Sequence, residues 1–411
     1  MGSEHFGHAL RRLRGDHSLR DLAQLANCGK THISDLEHGR RNPSEAVAAA
    51  LDDALEAGGY LRELAAMPSC TGGQLMTDLR AGLLDAIADG LMTKASLEEW
   101  VHTVAHYGRM IRYARTWEIL PGMLTAFADL AKAVRACHSG PERKRLSQTA
   151  AKLAGLISFT LFKRGDPAAG EWSRLGLSAA RAAEHPFTMA WVLAQHSYQH
   201  YYSGDASSAI QEAALAQETV DGRPCIGSAW AAPLEARAHA LLGDRGKAIA
   251  ALQRAERVFS HLEPEERTES AFGYSEAVMT FHAGNIWTYL HETSRAWSLQ
   301  QRALELLPQS DRRDRPLVQL DRATCLLQDG DADEATAAAT SALAPLSPVH
   351  RERLITFRAR LLVSTRVTGS HTARQLGMLQ DALKHSAQLT ATHPIPQCGA
   401  ERFFTPFTSR A

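Results

Sequence analysis

No apolar run in this 411-residue sequence approaches the roughly 18–20 residues that a membrane-spanning helix needs. A membrane is therefore not an expected partner. The stretch Met1 to Arg14 lacks the apolar centre of a signal peptide and reads as a charged amphipathic segment. The six cysteines (Cys28, Cys70, Cys137, Cys225, Cys325 and Cys398) are dispersed and form no C-x-x-C pair. Neither a zinc site nor a disulfide framework is suggested, and a reducing cytoplasm is the simplest location. Net charge is also missing, because 45 Lys+Arg face 45 Asp+Glu. That excludes a nucleic-acid binder working by bulk positive charge; any DNA contact must be a local patch on a small module. There is no Gly-rich phosphate loop, no G-x-S-x-G, no H-E-x-x-H and no distinctive carboxylate pair. The chain is read as a non-enzyme with no cofactor and no metal.

What is present is helical. Alternation with period two is nearly absent, and apolar residues recur at three- and four-residue intervals. Gly, Pro, Asn and Asp clusters punctuate these segments, as at Gly165-Asp166-Pro167, Gly204-Asp205, Gly243-Asp244 and Gly330-Asp331. The length predicts two or three domains. The stretch Met67 to Gly73 (MPSCTGG) separates short helices from longer ones. The division read from this is a helical module over 1–66, a linker over 67–74, a helical array over 75–390 and a tail over 391–411. In the array's last part Leu379, Leu383 and Leu389 offer an apolar face. In the tail Pro394, Pro396, Gly399 and Pro406 stop any helix, while Phe403, Phe404 and Phe407 suggest packing.

The first module reads as five short helices. Phe6, Leu10 and Leu13 face inward from the first. Ser18 can cap the second, with Asp21 returning the bond. Asn27 falls at a sharp turn, where Asn tolerates the left-handed conformation. The third helix, from about Lys30 to His38, buries Ile33 and Leu36, and Gly39 ends it. Ser44 starts a fourth, with Val47, Leu51 and Leu55 inward. The segment Leu19–Gly39 (LRDLAQLANCGKTHISDLEHG) resembles the helix-turn-helix of the XRE, or phage-repressor-like, family of transcription regulators. The run His38-Gly39-Arg40-Arg41-Asn42-Pro43 continues that pattern. Asn27 stands where the family usually has Gly, Gly29 where Ser or Thr often caps the recognition helix, and Arg20 where Gln is common. The resemblance implies a helix entering the major groove of a double-stranded DNA operator. Lys30, Thr31, Ser34 and Asp35 would face base edges, His32 the margin, and Arg20, Arg40 and Arg41 the phosphates. From Arg11 to Arg41 seven basic side chains face four acidic ones. So small a surplus implies a homodimer on a two-part operator.

The rest of the chain repeats. Small residues Ser158, Ser197, Ala236, Gly284 and Ala323 succeed one another in steps of 39, 39, 48 and 39 residues. From Ser197 onward each has an alanine twelve residues later: Ala209, Ala248, Ala296 and Ala335. Small residues let two antiparallel helices approach closely, and stacked pairs bury a core that none holds alone. The pattern resembles tetratricopeptide (TPR) repeats with a lengthened period. The expected fold is all-α, with the helix-turn-helix domain followed by a right-handed TPR-like α-solenoid.

The TPR resemblance implies a concave groove lined by the first helix of each pair. Its candidate ligand-binding residues are Lys152, Phe159, Lys163, Trp191, Tyr198, Tyr201, Tyr202, Trp230, Arg237, Phe281, Asn285 and Tyr289. Aromatic faces with polar tips suit ligand capture. Gly284-Asn285 is similar to the Gly-Asn pair of peptide-clamping TPR domains, and Lys163 and Arg237 can hold a carboxylate. His196 and His200 lie four apart but lack an evident third metal ligand. The combination resembles the peptide-pheromone receptors of Gram-positive bacteria. It implies a transcription regulator whose array senses a peptide or small-molecule effector and mediates dimerisation. The alternative is a protein-interaction scaffold whose first module does not bind DNA.

Overall fold

A computed structural model of the chain describes residues 2–15, 17–38, 41, 43–55, 57–65, 94–114, 116–346 and 353–364. Among these, all regular structure is helical. The chain divides into two compact units, one holding the helices before residue 66 and the other those from Lys94 onward. The expected linker over 67–74, Gly39, Arg40, the apolar face at Leu379, Leu383 and Leu389, and the tail over 391–411 lie outside the described residues.

The first unit contains α1 (Gly2–Arg14), α2 (Leu19–Leu25), α3 (Lys30–Glu37), α4 (Glu45–Ala54) and α5 (Tyr60–Ala65). Phe6, Leu10, Leu22, Ile33, Leu36, Leu51 and Leu61 fill its core, with Leu13, Leu19, Val47 and Leu55 half-buried at the edge. The local signals act as their chemistry requires. Ser18 Oγ accepts from the Asp21 N–H at 3.2 Å, and the Asp21 carboxylate accepts from the Ser18 N–H at 3.1 Å. Asn27 takes the left-handed conformation, with φ 48°. Ser44 Oγ accepts from the Val47 N–H. Gly29 caps α3 without a side-chain bond.

Two further devices hold this unit. The buried Asp52 carboxylate accepts from the N–H groups of Gly59 and Leu61, both at 2.6 Å, and so caps α5 from α4. Gly7 lets α1 lie directly on the end of α3. A Cβ there would sit 2.3 Å from the Leu36 carbonyl oxygen and 2.6 Å from that of Glu37.

The second unit begins with α6 (Lys94–Met110) and α7 (Thr116–Ala136). Five helix pairs follow: α8 (Gly140–Lys163) with α9 (Ala169–Ala182), α10 (Pro186–Tyr202) with α11 (Ala206–Glu218), α12 (Ile226–Leu241) with α13 (Arg245–Ser260), α14 (Glu276–Tyr289) with α15 (Thr293–Leu306), and α16 (Asp314–Asp329) with α17 (Ala332–Leu343). The first helices of successive pairs also pack on one another. This is the packing of a helical solenoid. The helix α18 (Arg353–Ser364) lies against α8, α10 and α16.

The repeat seen in the sequence is the contact within each pair. Ser197 Oγ donates across the pair to the Ala209 carbonyl at 2.7 Å, and Ser158 Oγ does the same to Ala169. Ala236, Ala248, Ala323 and Ala335 are buried. The turns share one geometry. Gly204, Gly243 and Gly330 are left-handed, and the next N–H bonds back to the carbonyls of His200, His239 and Leu326. Where the Gly-Asp pair is missing, His291 takes the left-handed position at φ 58° and the Glu292 N–H bonds back to Trp287.

The 48-residue step has its own cause. Between α13 and α14 the chain makes an excursion over 261–275 that ties separate helices together. The Ala271 N–H donates to the Gly108 carbonyl on α6, Trp191 Nε1 on α10 donates to Ala271 O, and Trp230 Nε1 on α12 donates to Gly273 O. Phe272 packs on Trp191, with ring centroids 4.9 Å apart. No helix among the described residues is long and apolar enough to cross a membrane.

Candidate functional site

The exposed face of α3 follows from how the unit packs. Ile33 and Leu36 turn into the core, which leaves Lys30 and Thr31 exposed at the helix N-terminus and His32, Ser34 and Asp35 half-buried beside them. Arg20, on α2, and Arg41 are exposed, and Arg41 Nε lies 3.9 Å from the Asp35 carboxylate. The far end of α3 is anchored. Arg14 Nε donates to Glu37 Oε1 at 2.6 Å, Nη2 to Oε2 at 3.3 Å, and Nη1 to the His17 carbonyl. This forked pair is largely out of solvent and holds the angle of α3 on α1. A short helix fixed at its C-terminus, with a lysine and a threonine exposed at its N-terminus, has the form that reads base edges in a major groove.

The twelve residues expected to line a groove gather on the inner helices; nine of them are buried, and Lys152, Trp230 and Tyr289 are half-buried. Phe159 meets Tyr198 at 5.5 Å between ring centroids, and Tyr198 meets Tyr202 at 4.7 Å and Trp230 at 6.2 Å. Lys163 is buried over Phe159, with Nζ 3.5 Å from the Ile111 carbonyl. Lys152 lies over the Phe272 ring, and burial pushes its ammonium pKa down.

Deeper along the array Arg237 is fully buried. Its Nε donates to Asn285 Oδ1 at 2.9 Å and its Nη2 to the Tyr202 hydroxyl at 2.8 Å, while its guanidinium covers Tyr201 and Phe281. Asn285 Nδ2 donates to Asp321 at 2.8 Å, and the Tyr201 hydroxyl donates to Asn285 Oδ1. The amide expected to clamp a peptide backbone is thus engaged by the chain itself.

The reason is α18. It places Phe357 against Tyr201 and Tyr202, and sets Arg358 over Tyr289 with Nε 3.3 Å from Asp321 Oδ1. At Tyr201, Tyr202 and Tyr289 the chain's own helix thus covers positions expected to line the groove. Nearer α6 lies a cavity of about 30 Å³ among Ile111, Arg112, Phe159, Tyr198, Trp230 and Arg313. That is room for about two water molecules.

Sequence reasoning missed the ionic cluster beside this cavity. Arg112 reaches Glu269 at 2.7 Å, Asp311 at 3.2 Å and Asp314 at 2.8 Å, and Arg313 also pairs with Asp314. Burial disfavours charge on Asp314, yet Arg313 and Arg112 hold its carboxyl well below the usual range. It also missed His282, whose Nδ1 is hydrogen-bonded with the Tyr274 hydroxyl at 2.8 Å. Burial, then the charge of Arg237, keeps that imidazole neutral. No local pattern announces either group.

His196 and His200 have the partner the sequence did not reveal. Glu212, on α11, brings a carboxylate to them, and one donor atom from each of the three lies within 4.8 Å of the others. The signal was the twelve-residue offset across each pair, since His200 and Glu212 are twelve apart just as Ser197 and Ala209 are.

No curated protein matches the chain. Residues 5–65, which hold the anchored α3 and its exposed N-terminal face, match the family described as a helix-turn-helix domain, and this part of the chain is a domain of that kind.

Proposed function

We propose that the protein is a sequence-specific, homodimeric, cytoplasmic transcription regulator of the XRE type, whose TPR-like array senses a peptide or small-molecule effector. The observation that carries the DNA reading is the exposure of Lys30 and Thr31 on a helix-turn-helix domain whose third helix is anchored by Arg14 and Glu37. Lys30 donates to guanine acceptors, Thr31 meets a thymine methyl, and Arg20, Arg40 and Arg41 set register on phosphates. The effector site is the aromatic and basic interior of the array. An effector carrying a carboxylate suits Arg237, whose Nη1 is buried without a partner. It acts by preferring one dimer arrangement over another.

The test is selection of genomic fragments by the full-length protein, followed by titration of the enriched site. Palindromic half-sites about 34–36 Å apart are expected. Lys30→Ala costs roughly 1–3 kcal/mol on that site. Arg20→Ala instead weakens all sequences alike and lowers the salt slope by about one. Failure to enrich any fragment, or enrichment indifferent to Lys30→Ala, overturns the reading in favour of a scaffold.

A further inference from the structure

We infer that His196, His200 and Glu212 form a binding site for a divalent transition-metal ion of the zinc class, which clips α10 to α11 in the middle of the array. The two histidines stand one helical turn apart on α10, with ring centroids 4.6 Å apart, and Glu212 faces them from α11. Ligand atoms about 2.0–2.2 Å from a tetrahedral zinc lie roughly 3.3–3.6 Å from each other. His196 Nδ1 is 3.3 Å from Glu212 Oε1, so one edge of such a tetrahedron already exists. His196 Nδ1 and Glu212 Oε2 are both buried polar atoms without a hydrogen-bond partner. One donor atom from each of His196, His200 and Glu212 lies within 4.8 Å of the others.

The surroundings fit the same assignment. Asp205 accepts from the Ser208 N–H through Oδ1 and sets Oδ2 3.5 Å from His200 Nδ1. A carboxylate on one ring nitrogen fixes the tautomer and directs the other nitrogen to a metal. All three donor side chains keep between a fifth and a third of their surface in solvent, which leaves the fourth position for water. Two imidazoles with one carboxylate favour Zn²⁺, Co²⁺ or Ni²⁺ over Mg²⁺ and Ca²⁺.

The experiment titrates the metal-stripped full-length protein with Zn²⁺ against a chromophoric chelator at neutral pH, with Mg²⁺ as the control ion. One equivalent is expected to bind, to be lost in His196→Ala and Glu212→Gln, and to bind roughly tenfold or more weakly in Asp205→Asn. Co²⁺ loaded into the unaltered protein gives a second readout that no variant's folding affects. Intense visible ligand-field bands mark a four-coordinate site, whereas the weak spectrum of the hexahydrated ion contradicts it. The inference fails if Zn²⁺ does not bind, or if stoichiometry is the same in folded His196→Ala and Glu212→Gln as in the parent protein. It does not depend on DNA binding, so neither result bears on the other.

Discussion

Gly7→Ala tests how α3 is held, because the same substitution elsewhere has the opposite sign. A Cβ on Gly7 would lie 2.3 Å from Leu36 O, 2.6 Å from Glu37 O and 2.8 Å from Glu37 C, all backbone atoms. Real Cβ atoms essentially never come within 3.0 Å of another atom, so α1 and α3 must separate. Overpacking of this kind costs about 1–3 kcal/mol, and backbone atoms that cannot rotate aside put it at the upper end. Replacing a helical glycine by alanine returns up to about 1 kcal/mol. The net expectation is a loss of about 2 kcal/mol, or roughly thirtyfold in local opening. The control is Gly246→Ala on α13, where a Cβ meets nothing within 4 Å. Only the propensity gain applies there, so that variant is neutral to about 1 kcal/mol more stable. The assay is amide hydrogen exchange of the full chain read on peptides from α3 and α13. Faster exchange in α3 for the first variant, with unchanged or slower exchange in α13 for the second, is expected. Equal protection of α3 in Gly7→Ala and the parent would refute the close approach of the two helices.

Two further predictions concern the second unit. His282 is neutral when folded, so the unfolded chain takes up one more proton below about pH 6.5. Stability therefore falls as pH drops from there, by up to about 1.4 kcal/mol per pH unit, and urea midpoints at pH 7.5 and 5.5 should diverge less in His282→Asn than in the parent. Arg358→Met leaves Asp321 buried without its cation, at a cost of roughly 3–5 kcal/mol, while adding Asp321→Asn recovers most of it; single and double variants with equal urea midpoints would contradict the buried pair.

Local chemistry made much of the fold legible. The Ser18–Asp21 capping box, the left-handed Asn27 and the Gly-Asp turns each act within a few residues, where sequence and geometry are directly linked. The small-residue period was legible because every pair of helices repeats the same close contact. The missed features lie far apart in the chain. Gly7 is small because of α3, and Glu212 matters because α11 turns it toward α10. Arg358 reaches Asp321 and Tyr201 from a helix that follows all five pairs. Periodicity identifies which face of a helix is buried, not what covers it.

That distinction bears on how the array would respond to the effector proposed above. An empty concave surface gains its ordered state from the ligand, whereas here α18 and the excursion between α13 and α14 already occupy the inner side. Arg358 and Arg237 share the Tyr201 and Tyr202 rings, and Asn285 connects Arg237 to Asp321. On the proposed function, a carboxylate reaching Nη1 of Arg237 enters beside the Tyr201 and Tyr202 rings on which Phe357 and Arg358 sit, and so disturbs the contacts that seat α18. On the same proposed function, effector binding and α18 docking are then two ligands for one interior, coupled by the contacts they cannot both make. The coupling is reciprocal, so weakening α18 by Arg358→Met should raise effector affinity even as it lowers stability. An opposite result, with affinity lost in proportion to stability, would place the effector on α18 itself and make that helix part of the binding surface.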